Sequence, residues 1–461
     1  MNKNKNNSSP LILVGLTILF LIGLSFLPKD ITVAGYDIKP VDLFMDIKPD
    51  SLLDYSEDKT DVMNNEFLSA SVNLTLIHNL FTEKINLNNI AFSSIPPASE
   101  ITGNVSQMSF YYNALKQAKT KSVRIAHFAD SGNEGDYITA DVRRAFQTKF
   151  GGNGVGFMSI TGQDINFRKT TKQSFSDDWK TISVLTTNPD KKPLGISGFV
   201  AIPKSGSWVK YETTPHYNYL EKYKTVRLFY SNAKASSIKY SFDNESDKTV
   251  QLKPGTGVQE LVLTPSSGSA SSVKITTTMD DQASFFGVSL ESSPNGVFID
   301  NFPLRGNTGV SIKDIPDNIM NDFNRIFDYK LIILQFGLNM AGSKNYNWYE
   351  QAMTKMIKDL KKNFPQTSIL LVGVGDKGVK RGSKFMTDPS VPLILEAQKR
   401  IAASADVAFW NIYDSMGGEN AIERWVNSNP PLALKDYVHL TTEGYKKLAE
   451  LMTEALLKSY K

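Results

Sequence analysis

The first long apolar run spans Leu11 to Leu27, interrupted only by Gly, Thr and Ser, and it breaks at Pro28-Lys29-Asp30. Lys3 and Lys5 are the only charges ahead of it. Its length lies between a signal-peptide core and a full membrane span. Ser25-Phe26-Leu27-Pro28 offers no small-x-small cleavage site. We therefore expect an uncleaved signal anchor over 1–30, lysines inside, with a cleaved signal peptide as the alternative. Both place the remainder outside the cytoplasm, facing the periplasm or the cell exterior. Residues 31–106 have a mixed pattern and read as a membrane-proximal lead-in.

Beyond that, three- and four-residue spacing of Phe110, Tyr111, Leu115 and Ala118 predicts a helix over 108–118. A short strand at 122–129 runs into Asp130-Ser131-Gly132, and a polar helix follows at 137–150. From 165 to 296 the pattern changes to alternating segments (225–230, 237–242, 260–264, 272–276, 284–289), separated by turns such as Pro254-Gly255. Short alternating strands at this spacing predict an all-β, jelly-roll-like sandwich. After 297 continuous apolar strands (331–335, 368–373, 407–411) alternate with helices (349–364, 392–402, 442–460), the pattern of a parallel sheet buried on both faces. Strand 122–129 belongs to that sheet because a helix follows it too. The expected fold is α/β: a three-layer parallel sheet flanked by helices (107–164 and 297–461), interrupted by the sandwich and preceded by an N-terminal transmembrane anchor.

Composition narrows the chemistry. The 461 residues include no cysteine, which removes disulfides, zinc ribbons and thiol catalysis. Only His78, His127, His216 and His439 are available, none at metal-ligand spacing, so we expect no metal or organic cofactor. A net charge of +4 over this length argues against a nucleic-acid partner. His127, inside the first strand, reads as a packed structural histidine. Gly152-Asn-Gly154-Val-Gly156 follows a helix rather than a strand, unlike a dinucleotide loop. Val374-Gly-Asp-Lys-Gly378 lacks the ending of a phosphate loop. No Gly-x-Ser-x-Gly elbow surrounds Ser131.

Doubly wound sheets present reactive groups at the carboxyl ends of their strands. Three such places carry suggestive residues here: Asp130-Ser131, Gly337-Leu338-Asn339, and the loop Asp436-Tyr437-Val438-His439 before the last helix. Alone, each is an ordinary turn or cap. Together they supply a serine, an imidazole with a carboxylate three residues away, and an amide. A serine hydroxyl needs an imidazole to take its proton, and the imidazole needs a carboxylate to fix its tautomer. An amide and backbone N–H groups can hold the developing oxyanion.

These blocks resemble the SGNH (GDSL-like) hydrolases. Ala129-Asp130-Ser131 matches the nucleophile block, with Ala for the usual Gly. Gly337-Leu338-Asn339 matches the third block, with Met340 where many members have Asp. Asp436 to Tyr445 (DYVHLTTEGY) matches the last. The inserted sandwich, the segments 150–156, Ala408–Tyr413, Met416–Gly418 and Pro431–Ala433 look like the bacterial peptidoglycan O-acetylesterases, whose insert is of a carbohydrate-binding type. The likeness covers about 107–460.

It implies Ser131 as nucleophile, His439 as acid and base, and Asp436 as its orienting carboxylate. The implied oxyanion donors are the Ser131 and Gly306 N–H groups and the Asn339 amide. Gly306 is carried over from Asp300 to Asn307, where Pro303 and Arg305 depart from the family, as does Gly132 after the nucleophile. The implied activity is removal of O-acetyl groups from a cell-wall or envelope polysaccharide, peptidoglycan foremost. An O-acetyltransferase with the same triad, or a glycan-binding protein on a degenerate domain, are the alternatives. Trp179, Trp208, Tyr211, Tyr217, Tyr219, Tyr223 and Tyr230 are candidates either for sugar stacking or for the sandwich core.

Overall fold

The computed structural model describes residues 31–33, 36–38 and 96–461, except 163–166, 218–219, 235, 279–282, 344 and 461. The expected anchor over 1–30, most of the lead-in, and Tyr219 lie outside the described residues. The chain divides into two compact units, 1–92 and 93–461. Of the first, a two-stranded antiparallel hairpin is described, Ile31–Val33 with Tyr36–Ile38. Among the described residues no helix is long and apolar enough to cross a membrane.

The second unit is built on a parallel sheet of five strands: β1 (Ser122–Ala129), β2 (Gly296–Pro303), β3 (Tyr329–Gln335), β4 (Ser368–Gly373) and β5 (Ala408–Asn411). Their order is β2-β1-β3-β4-β5, with Thr102–Gly103 pairing antiparallel on the β5 edge. Nearly every residue of these strands is buried, as a sheet covered on both faces requires. Helices α1 (Tyr137–Phe150) and α5 (Thr442–Lys458) pack together on one face. Helices α2 (Asp317–Phe327), α3 (Asn347–Asn363) and α4 (Ser390–Ala405) contribute to the other core. Ala98 and Ile101, ahead of the expected start at 107, are buried in the core of this body together with Met108.

The sandwich sits between β1 and β2 in sequence. One antiparallel sheet runs 259–263, 225–231, 284–291, 199–202, 180–183, and the other 248–251, 237–242, 272–277, 208–213, 171–175. The strand Gly156–Met158, ahead of position 165, already pairs with the first sheet. Trp179, Tyr211, Tyr223 and Tyr230 are buried in the sandwich core, so of the sugar-stacking candidates these four fill the interior instead.

Strand β2 was not expected from the sequence, because its run carries Asp300 and Asn301 at the centre of an otherwise apolar segment. Asp300 is wholly buried and takes a two-pronged contact from Arg124 on β1 (2.7 and 2.8 Å), the Tyr329 hydroxyl of β3 (2.6 Å) and the Phe157 N–H (2.8 Å). Arg124 also reaches Glu291 of the sandwich at 2.7 Å and lies over the Phe327 ring. The buried Arg124–Asp300 pair thus ties three sheet strands and the insert together. Burial alone would lower the Arg124 pKa, but Asp300 and Glu291 hold it above its ordinary value.

Candidate active site

The strand order reverses between β1 and β3, and the crevice beyond their carboxyl ends is where open α/β sheets bind ligands. A cleft of about 310 Å³ opens there. Ser131, Asn339 and His439, each singled out from the sequence, line it together, with Asp130, Gln335, Asp376, Lys377 and Tyr445 among the other walls. Gly306 is exposed and is not among the lining residues; the carbonyl of its neighbour Asn307 accepts a hydrogen bond from Asn339 Nδ2 at 2.9 Å.

Ser131 begins a tight turn capped by Asp130, whose Oδ1 accepts the Gly132 N–H at 2.9 Å. Behind the turn lies a polar network. Asn133 caps α1 by accepting from the Ile138 and Thr139 N–H groups. His127 Nδ1 lies 2.9 Å from Thr139 Oγ1 and its Nε2 3.0 Å from Gln335 Oε1. The amide oxygen can only accept, so Nε2 carries the proton. Burial pushes the His127 pKa down to about 4, which leaves it a neutral, satisfied structural residue. At the far end of the turn, buried Asp136 takes both guanidinium prongs of Arg143 (2.7 and 3.0 Å), with Arg168 and Thr170 closing the cluster. These bonds fix the Ser131 turn from beneath and from the start of the insert.

The other partner comes from the loop before α5. His439 Nδ1 is 2.7 Å from Asp436 Oδ2, while Asp436 Oδ1 accepts the Val438 and His439 N–H groups at 2.9 and 3.0 Å. The second ring nitrogen, Nε2, has no partner among the described residues, nor does the Ser131 hydroxyl. Burial would raise the Asp436 pKa, but the bonds from His439 and the two N–H groups hold it below its ordinary value. The bond to Asp436 in turn raises His439 above its ordinary value against partial burial, with help from the charge of Asp130. Asp130 is itself 9% exposed, and burial lifts its carboxyl to about 6 despite the Gly132 N–H and the nearby imidazole.

The loop's shape depends on a short hairpin with no clear signature in the sequence. The strands Gly378–Arg381 and Lys384–Thr387 pair beside it. Gly378 N–H donates to the Tyr437 carbonyl at 2.7 Å, and the Phe385 ring stacks on Tyr437 with centroids 3.6 Å apart and planes 6° apart. Tyr437 holds a left-handed backbone, φ 60°. A Cβ on Gly378 would meet the Tyr437 Cβ at 2.7 Å, so only glycine permits this approach. In sequence the segment 374–378 shows only an incomplete phosphate-loop pattern; its position at the carboxyl end of β4, on the same rim as the other blocks, is the signal that marks it.

No family model matches the chain, and no curated protein does. Among solved structures, one described as a peptidoglycan O-acetylesterase in action is 20% identical, covering 78% of this chain and 98% of that one at a TM-score of 0.64. The chain has the fold of that esterase. A family two carbohydrate esterase from Cellvibrio japonicus also matches, 12% identical over 63% of this chain and 98% of that one, at a TM-score of 0.25. A second, from Clostridium thermocellum with cellohexaose, is 11% identical over 62% and 98%, also at 0.25.

Proposed function

We propose that this chain is an extracytoplasmic serine esterase that removes O-acetyl groups from a cell-wall or envelope polysaccharide, with peptidoglycan the first substrate to try. The observation that carries this is the Asp436–His439 pair, bonded at 2.7 Å, with its free Nε2 on the same cleft as Ser131. The fold shared with a peptidoglycan O-acetylesterase supports the substrate class, and the apolar run at 11–27 supports an exported, membrane-anchored location.

Ser131 Oγ attacks the acetyl carbonyl as His439 Nε2 takes its proton; the imidazolium so formed is stabilised by Asp436 and by the charge of Asp130. The oxyanion is held by the Ser131 N–H and by the second N–H of the Asn339 amide, whose first is spent on Asn307. His439 then protonates the leaving sugar oxygen, and water, activated by the same imidazole, releases acetate. Because the base must be neutral, activity rises with pH through the His439 pKa, which lies above the ordinary histidine value.

The test is acetate release from O-acetylated peptidoglycan and from a chromogenic acetyl ester, by wild type, Ser131→Ala and His439→Ala. Residues acting as a unit each cost several orders of magnitude in turnover when removed. Wild-type turnover no faster than either variant would end the esterase reading. Transfer of acetyl to an added glycan in preference to water would recast it as an acetyltransferase.

A further inference from the structure

The hairpin that braces the histidine loop also carries a cluster of exposed cations, and Lys377, just ahead of it, lines the cleft. Its two strands are joined by Gly382-Ser383, with Gly382 at φ 61°, the glycine-first geometry that matches strand twist. Cross-strand partners share a face. Gly378 and Phe385 lie on the face toward Tyr437. Arg381 stands directly opposite Lys384 on the other face, with the Val379–Met386 pair beneath them. Lys380, Arg381 and Lys384 are all exposed, and among the described residues none of them has a carboxylate within ion-pair distance. The nearby acids lie at the hairpin's base: Asp388 is 3.6 Å from Lys377, and Asp376 is buried and bonded to backbone N–H groups.

Two like charges facing each other across a strand pair destabilise it. Here that cost falls on a short, exposed hairpin with no compensating acid, attached to the catalytic loop by a ring stack and a backbone hydrogen bond. We propose that the hairpin tip binds the negative charges of an anionic glycan while an acetyl ester of the same chain occupies the cleft. This rests on the esterase reading and narrows its substrate to a polymer bearing carboxylate or phosphate groups. Three strand steps separate Gly378 from Arg381, about 10 Å. The contact therefore reaches past the acetylated sugar to neighbouring units, and a small ester does not feel it. Lysines on an exposed strand edge also discourage pairing between molecules, but that role alone predicts no effect on any substrate.

The test replaces both facing cations with a favourable cross-strand pair, Arg381→Thr with Lys384→Thr. Melting temperature confirms the fold, and kcat/KM on a small acetyl ester is expected to stay at the wild-type value. Binding of de-O-acetylated polymers, measured by calorimetry, needs no turnover, so it remains informative even if the esterase reading fails. Three probes serve: a carboxylate-bearing glycan, a phosphate-bearing glycan and a neutral one. The double variant is expected to lose about tenfold in affinity for an anionic probe and nothing for the neutral one. The wild-type advantage should shrink as salt is raised. Whichever anionic probe shows the larger loss identifies the charge carrier. Unchanged affinity for both anionic probes, or equal wild-type affinity for the neutral glycan, would overturn the proposal. A fall in small-ester turnover would reassign the two cations to positioning the histidine loop.

Discussion

Asp130→Asn should make the protein more stable at neutral pH, because burial makes the charged carboxylate costly there. The carboxyl is almost fully buried beside the nucleophile and is lifted from 3.8 to about 6. A folded pKa above the unfolded one means that its contribution to stability is complete below pH 3.8 and is lost as pH rises through 6. A gap of that size is worth on the order of 3 kcal/mol above pH 6 and well under half of that at pH 4. Asparagine keeps the cap, since its side-chain oxygen can still accept the Gly132 N–H. Urea unfolding of wild type and variant across pH 4 to 8 should therefore show a difference that grows with pH and levels off above 6.5. The same substitution removes a charge that raises the His439 pKa, so the acid limb of kcat/KM should move to lower pH. A variant no more stable than wild type at pH 8, or a difference independent of pH, would refute the reasoning. The carboxylate is thus a stability cost beside the nucleophile, where its charge favours the imidazolium.

Gly378→Ala should lower kcat on a small ester at least tenfold, because the new methyl displaces Tyr437 and with it the His439 ring; steady-state kinetics beside a melting curve separates this from unfolding. Asn339→Ala should cost about 10²–10³ in kcat, the loss seen when one oxyanion donor is removed, with KM little changed. Asp300→Ala strands the buried Arg124 and should destabilise the protein by about 3–5 kcal/mol, read as a shift in denaturant midpoint without change in its slope.

Periodicity alone was enough for the helices after β1, β3, β4 and β5, because each buries one stripe on a sheet whose strands are continuous apolar runs. It missed β2 because Asp300 and Asn301 look like a turn until Arg124, Tyr329 and Asn133 are seen to satisfy them. Pairs such as Arg124–Asp300, 176 residues apart in sequence, have no local signature. The three short motifs that carry Ser131, Asn339 and the Asp436–His439 pair could be picked out in the sequence, and the fold brings Ser131, Asn339 and His439 to one cleft. Their support could not be read that way. The stack of Phe385 on Tyr437 and the close approach of Gly378 depend on where a hairpin after β4 meets a loop before α5. The raised carboxyl of Asp130 follows from burial, which no motif encodes.

On the proposed mechanism Ser131 becomes acylated. Wild type mixed with an acetyl ester and quenched within the first turnovers should carry acetyl on Ser131 by peptide mass spectrometry. Ser131→Ala should carry none, and His439→Ala should neither form the acetyl-serine nor clear it at a useful rate. Acetyl on another residue, or turnover that persists in Ser131→Ala, would contradict the account.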